Sequence, residues 1–265
     1  MLVILTNMCV YLKMNTKKFN IVLDIDETLI HSFEEMDTIF KLLQEGDDDL
    51  NWLSNMSYVI HVTDPNEDGT SGNYSMWGLY RCYLEEFISY IIENFRNVYI
   101  FSAGSKKYIN KIVENIFTPL KYKPPIILDY NHINHDKDTG NIQKPLSKIL
   151  EQTKGEATIE NTIIIDDRED TFELNIDNGI LIPRFSTDDE NGDENVVTIE
   201  NIKSILKSDK ALQELIVFFE KNKHIDDVRK WDKSNIFSKV KKEENRYSAK
   251  MVGTRHLSPS HNIKF

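Results

Sequence analysis

The residues that most constrain the fold are Asn20-Ile21-Val22-Leu23-Asp24-Ile25-Asp26-Glu27-Thr28. The short apolar run, rich in β-branched side chains, reads as a buried strand. It ends abruptly in two carboxylates one residue apart, then a threonine. A strand serving only the core would not end this way, because unpaired buried carboxylates are costly. Alternation sends Asp24 and Asp26 to the same side, and a curved loop after the strand would let both face one small volume. Two carboxylates that close raise each other's pKa unless a cation lies between them. The economical reading is a divalent metal, with one carboxylate left as nucleophile or acid/base. The competing reading is a plain strand followed by a helix cap at Asp26 or Thr28.

The same design recurs at Asn161-Thr162-Ile163-Ile164-Ile165-Asp166-Asp167-Arg168. Two buried strands that each deliver acids at their carboxyl ends match how open parallel sheets build sites beyond the strand ends. A further buried strand, Asn97 to Phe101, runs into Ser102-Ala103-Gly104-Ser105 and then a helix from Lys106 to Phe117. A hydroxyl and small residues at a strand-to-helix turn make a phosphate or oxyanion cradle, although such turns are also common without a ligand. Ile126 to Asp129 and Ile180 to Pro183 read as further strands, and Lys144 to Leu150 opens a helix. His132 and His135 lack further His or Cys support and read as exposed loop residues.

Between the first motif and residue 80 the pattern is that of an insertion. Met36, Ile39, Phe40 and Leu43 recur at helical spacing. Tyr58 to Val62 and Tyr74 to Tyr80 read as a hairpin around the turn chemistry of Asp64-Pro65-Asn66-Glu67-Asp68-Gly69. Arg81 then precedes an amphipathic helix from Leu84 to Ile92, and Leu212 to Phe219 lies on a closing helix. Asp188 to Glu194 is an acidic loop, and Trp231, Ile236, Phe237 and Val240 fit one more helix.

The net charge of -11 is unevenly spread. Residues 221–265 hold twelve Lys/Arg against five Asp/Glu, so residues 1–220 carry -18. An acidic body argues against broad nucleic-acid binding by the core and leaves the basic tail as the one segment suited to it. Cys9 and Cys82 are the only cysteines, which points to a reducing intracellular compartment, nuclear or cytoplasmic. The apolar stretch from Met1 to Leu12 is too short to span a bilayer and has no basic residue before it. Residues 1–13 read as a dispensable extension or an upstream reading of the gene, with Met14 as a second start, and a short membrane anchor stays open as the third reading.

Four ordered motifs within residues 19–220 resemble the haloacid dehalogenase superfamily. Glu27 and Leu29-Ile30-His31-Ser32 narrow the resemblance to the phosphatases of the RNA polymerase II C-terminal domain and their small relatives. Leu23 to Leu29 is similar to the first signature. Ser102-Ala103-Gly104 is similar to the second, with Gly104 in place of the usual serine. Lys144 falls at the family's lysine, and Asp166-Asp167-Arg168 is similar to the last signature. Arg81-Cys82 stands where the family typically has Arg-Pro.

The resemblance implies a mainly parallel α/β sheet with helices on both faces and a small β-hairpin insertion. It places a phosphatase domain at 19–223 with the insertion at 33–80, after an extension at 1–18 and before a flexible basic tail at 224–265. The implied activity is Mg2+-dependent hydrolysis of phosphoserine or phosphothreonine in a protein or peptide, with no membrane partner and the chain a monomer. Asp24 would be the nucleophile and Asp26 the acid/base. Thr28 would orient the loop, and Ser102, Lys144 and Arg81 would hold the phosphate. Asp24, the main-chain carbonyl of Asp26 and Asp167 would hold the metal, with Asp166 beside them. Two other classes stay open: a catalytically silent binding module of the same family, and a phosphatase of small molecules or nucleic-acid ends.

Overall fold

Asn20–Leu23 forms β1, and all four residues are buried because neighbours cover the strand on both sides. In the computed structural model, residues 17–33, 38–45, 50–65, 71–137, 139–187 and 198–237 are described. After β1 come β2 (Ile30–Phe33), helices α1 (Thr38–Glu45) and α2 (Asn51–Ser54), and strands β3 (Ser57–Pro65) and β4 (Ser71–Tyr80). Then follow α3 (Leu84–Asn94), β5 (Asn97–Phe101), α4 (Lys106–Phe117), β6 (Ile127–Leu128), β7 (Asn134–His135) and β8 (Ile142–Gln143). The chain closes with α5 (Ser147–Leu150), β9 (Thr162–Asp166), β10 (Gly179–Leu181), α6 (Ile199–Ser208) and α7 (Ala211–Asn222).

The main sheet has the order β10-β9-β1-β5-β6, and every pair in it is parallel. β1 lies at its centre, with Leu23 opposite Ile100 on one side and Ile165 on the other. Strand alternation divides the core into two layers. Ile21, Leu23, Val98, Ile100, Ile163 and Ile165 pack with residues of α3, α4 and α7. Val22, Tyr99, Phe101 and Ile164 face the other way, toward Leu146, Ile149 and Phe172. Both faces are therefore covered, as uninterrupted apolar strands require. Each fully buried Ile or Leu in these layers contributes about 1.5–3 kcal/mol.

The insertion is a three-stranded antiparallel sheet in the order β2-β4-β3. It begins at Ile30, inside the first motif, so the motif's own end is an edge strand of this sheet. Phe33, Phe40, Leu53, Trp77 and Leu79 form its separate core, which also takes in Phe185 and Ile202.

Several expectations shift. The helix read from Lys144 starts only at Ser147. A residue before proline is kept out of the helical region, and Lys144 instead donates its backbone N–H to Thr171 O at 2.6 Å. The expected helix around Trp231 is a 3-10 turn at Val228–Lys230. Val228 and Trp231 are buried in the main core, and Ile236 and Phe237 pack against it. The packed body thus runs past residue 223, where the basic tail was expected to begin. Residues 1–16, the acidic loop at 188–194 and the tail from 238 lie outside the described residues. Among the described residues no helix is long and apolar enough to cross a membrane.

Candidate active site

The site forms where β1, β5 and β9 end. Asp24 extends the ladder by donating its N–H to Ile165 O at 3.0 Å. The chain then turns tightly, with Leu29 N–H on Ile25 O at 2.8 Å and Glu27 in the left-handed region at φ 56. This turn follows Asp26 directly and leads into β2.

Lys144 binds the acids of two strands together. Its ammonium donates to Asp24 Oδ1 at 2.5 Å and to Asp166 Oδ2 at 2.6 Å, and all three side chains are buried. Burial alone would lower the Lys144 ammonium, but Asp166 and Asp24 outweigh it and hold it above its ordinary value. Burial raises the Asp24 carboxyl well above its ordinary value, against the pull of Lys144 and with a push from Asp166, Asp167 and Asp26. Burial, then Asp166, push the Asp167 carboxyl up to about 7, with Arg184 opposing.

One oxygen each from Asp24, Asp166 and Asp167 lies within 4.8 Å of the others. Three acids face the Lys144 ammonium and, at the exposed edge, the Arg184 guanidinium, so the cluster is short of positive charge. Hard carboxylate oxygens at this spacing suit a divalent cation such as Mg2+, and its charge would return the raised carboxyls toward their ionised form. The residues present therefore fit the metal.

Asp26 sits in a different setting. Its carboxylate is not one of the three; Oδ1 accepts a short hydrogen bond from the Tyr108 hydroxyl, and Oδ2 has a long contact of 3.5 Å with Ser102 Oγ. Burial, then the charge of Glu27, push its carboxyl up to about 6, although Tyr108, Lys144 and Ser102 oppose this. Ser102 closes β5 and is buried; its Oγ accepts from Gly104 N–H at 3.1 Å and is the donor in the long contact to Asp26 Oδ2. Ser105 caps the following helix by accepting from Tyr108 N–H at 3.4 Å. A Cβ on Gly104 would come within 2.8 Å of the Tyr108 ring. The missing serine at this position thus makes room for that tyrosine.

Thr28 is buried in the turn; its Oγ1 has no hydrogen-bond partner among the described residues. Its carbonyl accepts from Arg81 Nη1 at 2.9 Å. Arg81, expected to hold phosphate, lies behind the turn. Its guanidinium is 1% exposed and is bound by Asp209, Thr28 O and Pro183 O, beneath the Phe185 ring. It braces the loop from behind, with four of its five N–H donors engaged by these partners.

Two site residues have no signal in the sequence. Tyr108 sits at a core position of a helical pattern, and Arg184 follows an ordinary strand. Arg184 lies 3.2 Å from Asp167 Oδ2 and 3.5 Å from Glu27 Oε2, at the exposed edge of the acid cluster. His132 pairs with Asp129 at 2.8 Å in a local cap and joins no metal cluster among the described residues.

The fold has known counterparts. Residues 19–229 match the family model of NLI interacting factor-like phosphatases. CTD small phosphatase-like protein 2 of Dictyostelium discoideum is 26% identical over 218 residues, covering 81% of this chain and 29% of the relative. The chain thus spans less than a third of that relative's length. Fission yeast RNA polymerase II CTD phosphatase Fcp1, in a variant bound to beryllium fluoride, superposes with a TM-score of 0.57 at 16% identity, over 85% of this chain and 72% of that one. A second structure of Fcp1, described as an essential RNA polymerase II CTD phosphatase, gives 0.58 at 17% identity over the same shares. With four fifths of its length matched and the acids of two strand ends gathered at one site, the chain belongs to the NLI interacting factor-like phosphatase family.

Proposed function

We propose that the chain is a Mg2+-dependent phosphatase of phosphoserine and phosphothreonine in protein substrates, with the RNA polymerase II C-terminal domain as a candidate. The observation that carries this reading is the contrast between two carboxylates of one loop. Asp24 is ion-paired with Lys144 inside an acid cluster. Asp26 is held by neutral hydroxyls and is pushed up to about 6, so it can carry a proton near neutral pH. The names of the Dictyostelium and fission yeast relatives support a polymerase-tail substrate class.

In this reading Asp24 attacks the phosphorus and forms a new P–O bond while the P–O bond to the leaving oxygen breaks. Asp26 delivers its proton to that oxygen, so the alcohol departs neutral. Water then attacks the aspartyl-phosphate, Asp26 takes the water's proton, and Asp24 is restored as phosphate leaves. The Ser102 hydroxyl and Lys144 ammonium donate to phosphoryl oxygens. Asp24, the Asp26 main-chain carbonyl and Asp167 would hold Mg2+ with Asp166 beside them, and the ion would supply positive charge toward the phosphoryl oxygens. Thr28, its carbonyl braced by Arg81, keeps the loop in register.

The test is phosphate release in Mg2+ from phosphoserine and phosphothreonine peptides, p-nitrophenyl phosphate, sugar phosphates and 5′-phosphorylated oligonucleotides. Peptide turnover that vanishes in EDTA and in a folded Asp24→Asn variant is expected, the variant losing a factor on the order of 10⁴ or more. Silence on every substrate would mark a binding module. A preference for sugar phosphates or oligonucleotides would move the chain to the other phosphatase class.

A further inference from the structure

Asp26 is the end of a line of hydroxyls that starts in the insertion sheet. Tyr58 and Ser32 lie 2.6 Å apart, Ser32 and Tyr108 lie 2.6 Å apart, and the Tyr108 hydroxyl reaches Asp26 Oδ1. The direction of every bond follows from proton counting. A carboxylate only accepts, so Tyr108 must donate to it; each hydroxyl has one proton. Ser32 must then donate to Tyr108, and Tyr58 to Ser32. Burial keeps both phenols above their ordinary value, so neither loses its proton.

Two glycines clear the path. Ser32 and Tyr58 lie opposite the same residue of the central strand, Gly78, one on each side. A Cβ on Gly78 would overlap the Tyr58 hydroxyl and ring, so its bare backbone lets Tyr58 reach across the strand to Ser32. Gly104 gives the Tyr108 ring its space in the same way. The insertion sheet and the core helix α4 therefore converge on one carboxylate oxygen.

We propose that Tyr108, steadied by Ser32 and Tyr58, is the positioning residue for Asp26: it holds Oδ1 and reserves Oδ2 for the proton that passes to the leaving group. This rests on the phosphatase reading above. The bond to Oδ1 is compatible with Asp26 as carboxylate and as acid, since the proton on Oδ2 leaves Oδ1 an acceptor in both states. The carboxyl group is thus locked against rotation through the whole proton cycle. Oδ2 is the oxygen facing Ser102, the residue read as a phosphoryl donor.

The consequence is a dependence on leaving group. Phenyl phosphate needs a proton on its departing oxygen; 2,4-dinitrophenyl phosphate does not. The experiment measures kcat/KM of the full chain in Mg2+ for both esters, because kcat/KM reads only the first phosphoryl transfer. Tyr108→Phe keeps the ring and removes the hydroxyl. Its loss on phenyl phosphate is expected to exceed its loss on dinitrophenyl phosphate by about tenfold or more, part of the 10²–10⁴ that general acid catalysis typically supplies. Ser32→Ala, which leaves Tyr108 itself intact, is expected to show the same selectivity to a smaller extent, and it decides the matter if Tyr108→Phe does not fold. Equal losses on the two esters in a folded variant, or no loss on either, would overturn the role of Tyr108 alone. A wild-type chain inactive on both esters would overturn the phosphatase reading and this inference with it.

Discussion

Arg81 and Asp209, 128 residues apart in sequence, meet in a buried two-bond ion pair, with Nε on Oδ2 and Nη2 on Oδ1, both at 2.9 Å. Fork-to-fork geometry of this kind fixes orientation as well as charge. The same guanidinium ties Thr28 O and Pro183 O, so one side chain joins the turn after Asp26, the end of the main sheet and the start of α7. Removing one partner leaves a buried charge uncompensated, which costs about 3–5 kcal/mol. Asp209→Ala is therefore expected to lower the urea midpoint by an amount in that range. An Arg81 variant with normal stability and a selective rise in KM for phosphopeptide would return Arg81 to phosphate binding.

The acid cluster makes metal a stability question as well as a catalytic one. Mg2+ at about 100 times its Kd adds about 2.7 kcal/mol to the folded state, a rise of about 5–10 °C in Tm for a chain of this size. Asp167→Asn is expected to abolish that rise. Beryllofluoride, a mimic of the phosphoryl group on Asp24, is expected to bind by calorimetry only when Mg2+ is present. Equal binding in EDTA would separate the phosphate site from the metal.

Lys144 supplies the one ammonium between Asp24 and Asp166. Lys144→Met would leave those carboxylates facing each other and Asp167 without it. Two effects are expected together: loss of phosphoryl transfer, and a larger Mg2+-dependent gain in Tm than in the wild-type chain, because the ion then neutralises Asp24 and Asp166 without Lys144, Arg184 reaching only Asp167. An unchanged Mg2+ gain would mean that Lys144 and the metal do not share the same charges.

The sequence shows the sheet and its acids because those features are local. β1 and β9 are β-branched runs cut off by carboxylates, and α4 spans Lys106–Phe117 as read because Ser105 caps it and the apolar spacing is helical. The placement of Asp24, Asp26, Ser102, Asp166 and Asp167 at strand ends was legible for the same reason, whereas Lys144 was read as opening a helix and could be assigned only by resemblance. What was not legible depends on distant partners. No local pattern links Arg81 to Asp209, so Arg81 could only be assigned by resemblance. Tyr108 occupies a buried position of an ordinary amphipathic helix, and nothing near it in sequence reveals that its hydroxyl ends on Asp26. The strand β2 was hidden inside the first motif, because Ile30 to Phe33 pairs with residues some fifty positions later.

The C-terminal end of the body gives the last prediction. Beyond residue 223 the apolar pattern thins to one candidate helix through Trp231, Ile236, Phe237 and Val240, and the sequence reads as tail from 224 onward. The structure shows that residues 224–237 pack without regular secondary structure beyond one 3-10 turn. Val228 is fully buried with its N–H on Glu160 O at 2.8 Å, and Trp231 is 4% exposed with its indole N–H on Ile225 O at 3.1 Å. The Trp231 ring meets Phe19 edge-on at 4.9 Å and Phe218 at 5.8 Å, so it closes the end of the sheet opposite the active site against the start of β1. Truncating a buried tryptophan to alanine costs about 3–5 kcal/mol. Trp231→Ala is expected to lower stability by that amount in urea unfolding, with kcat/KM of the remaining folded protein unchanged, since the ring lies at the far end of the strands from Asp24. A loss below about 1 kcal/mol, the level typical of surface substitutions, would show that the stretch after residue 223 is a tail after all.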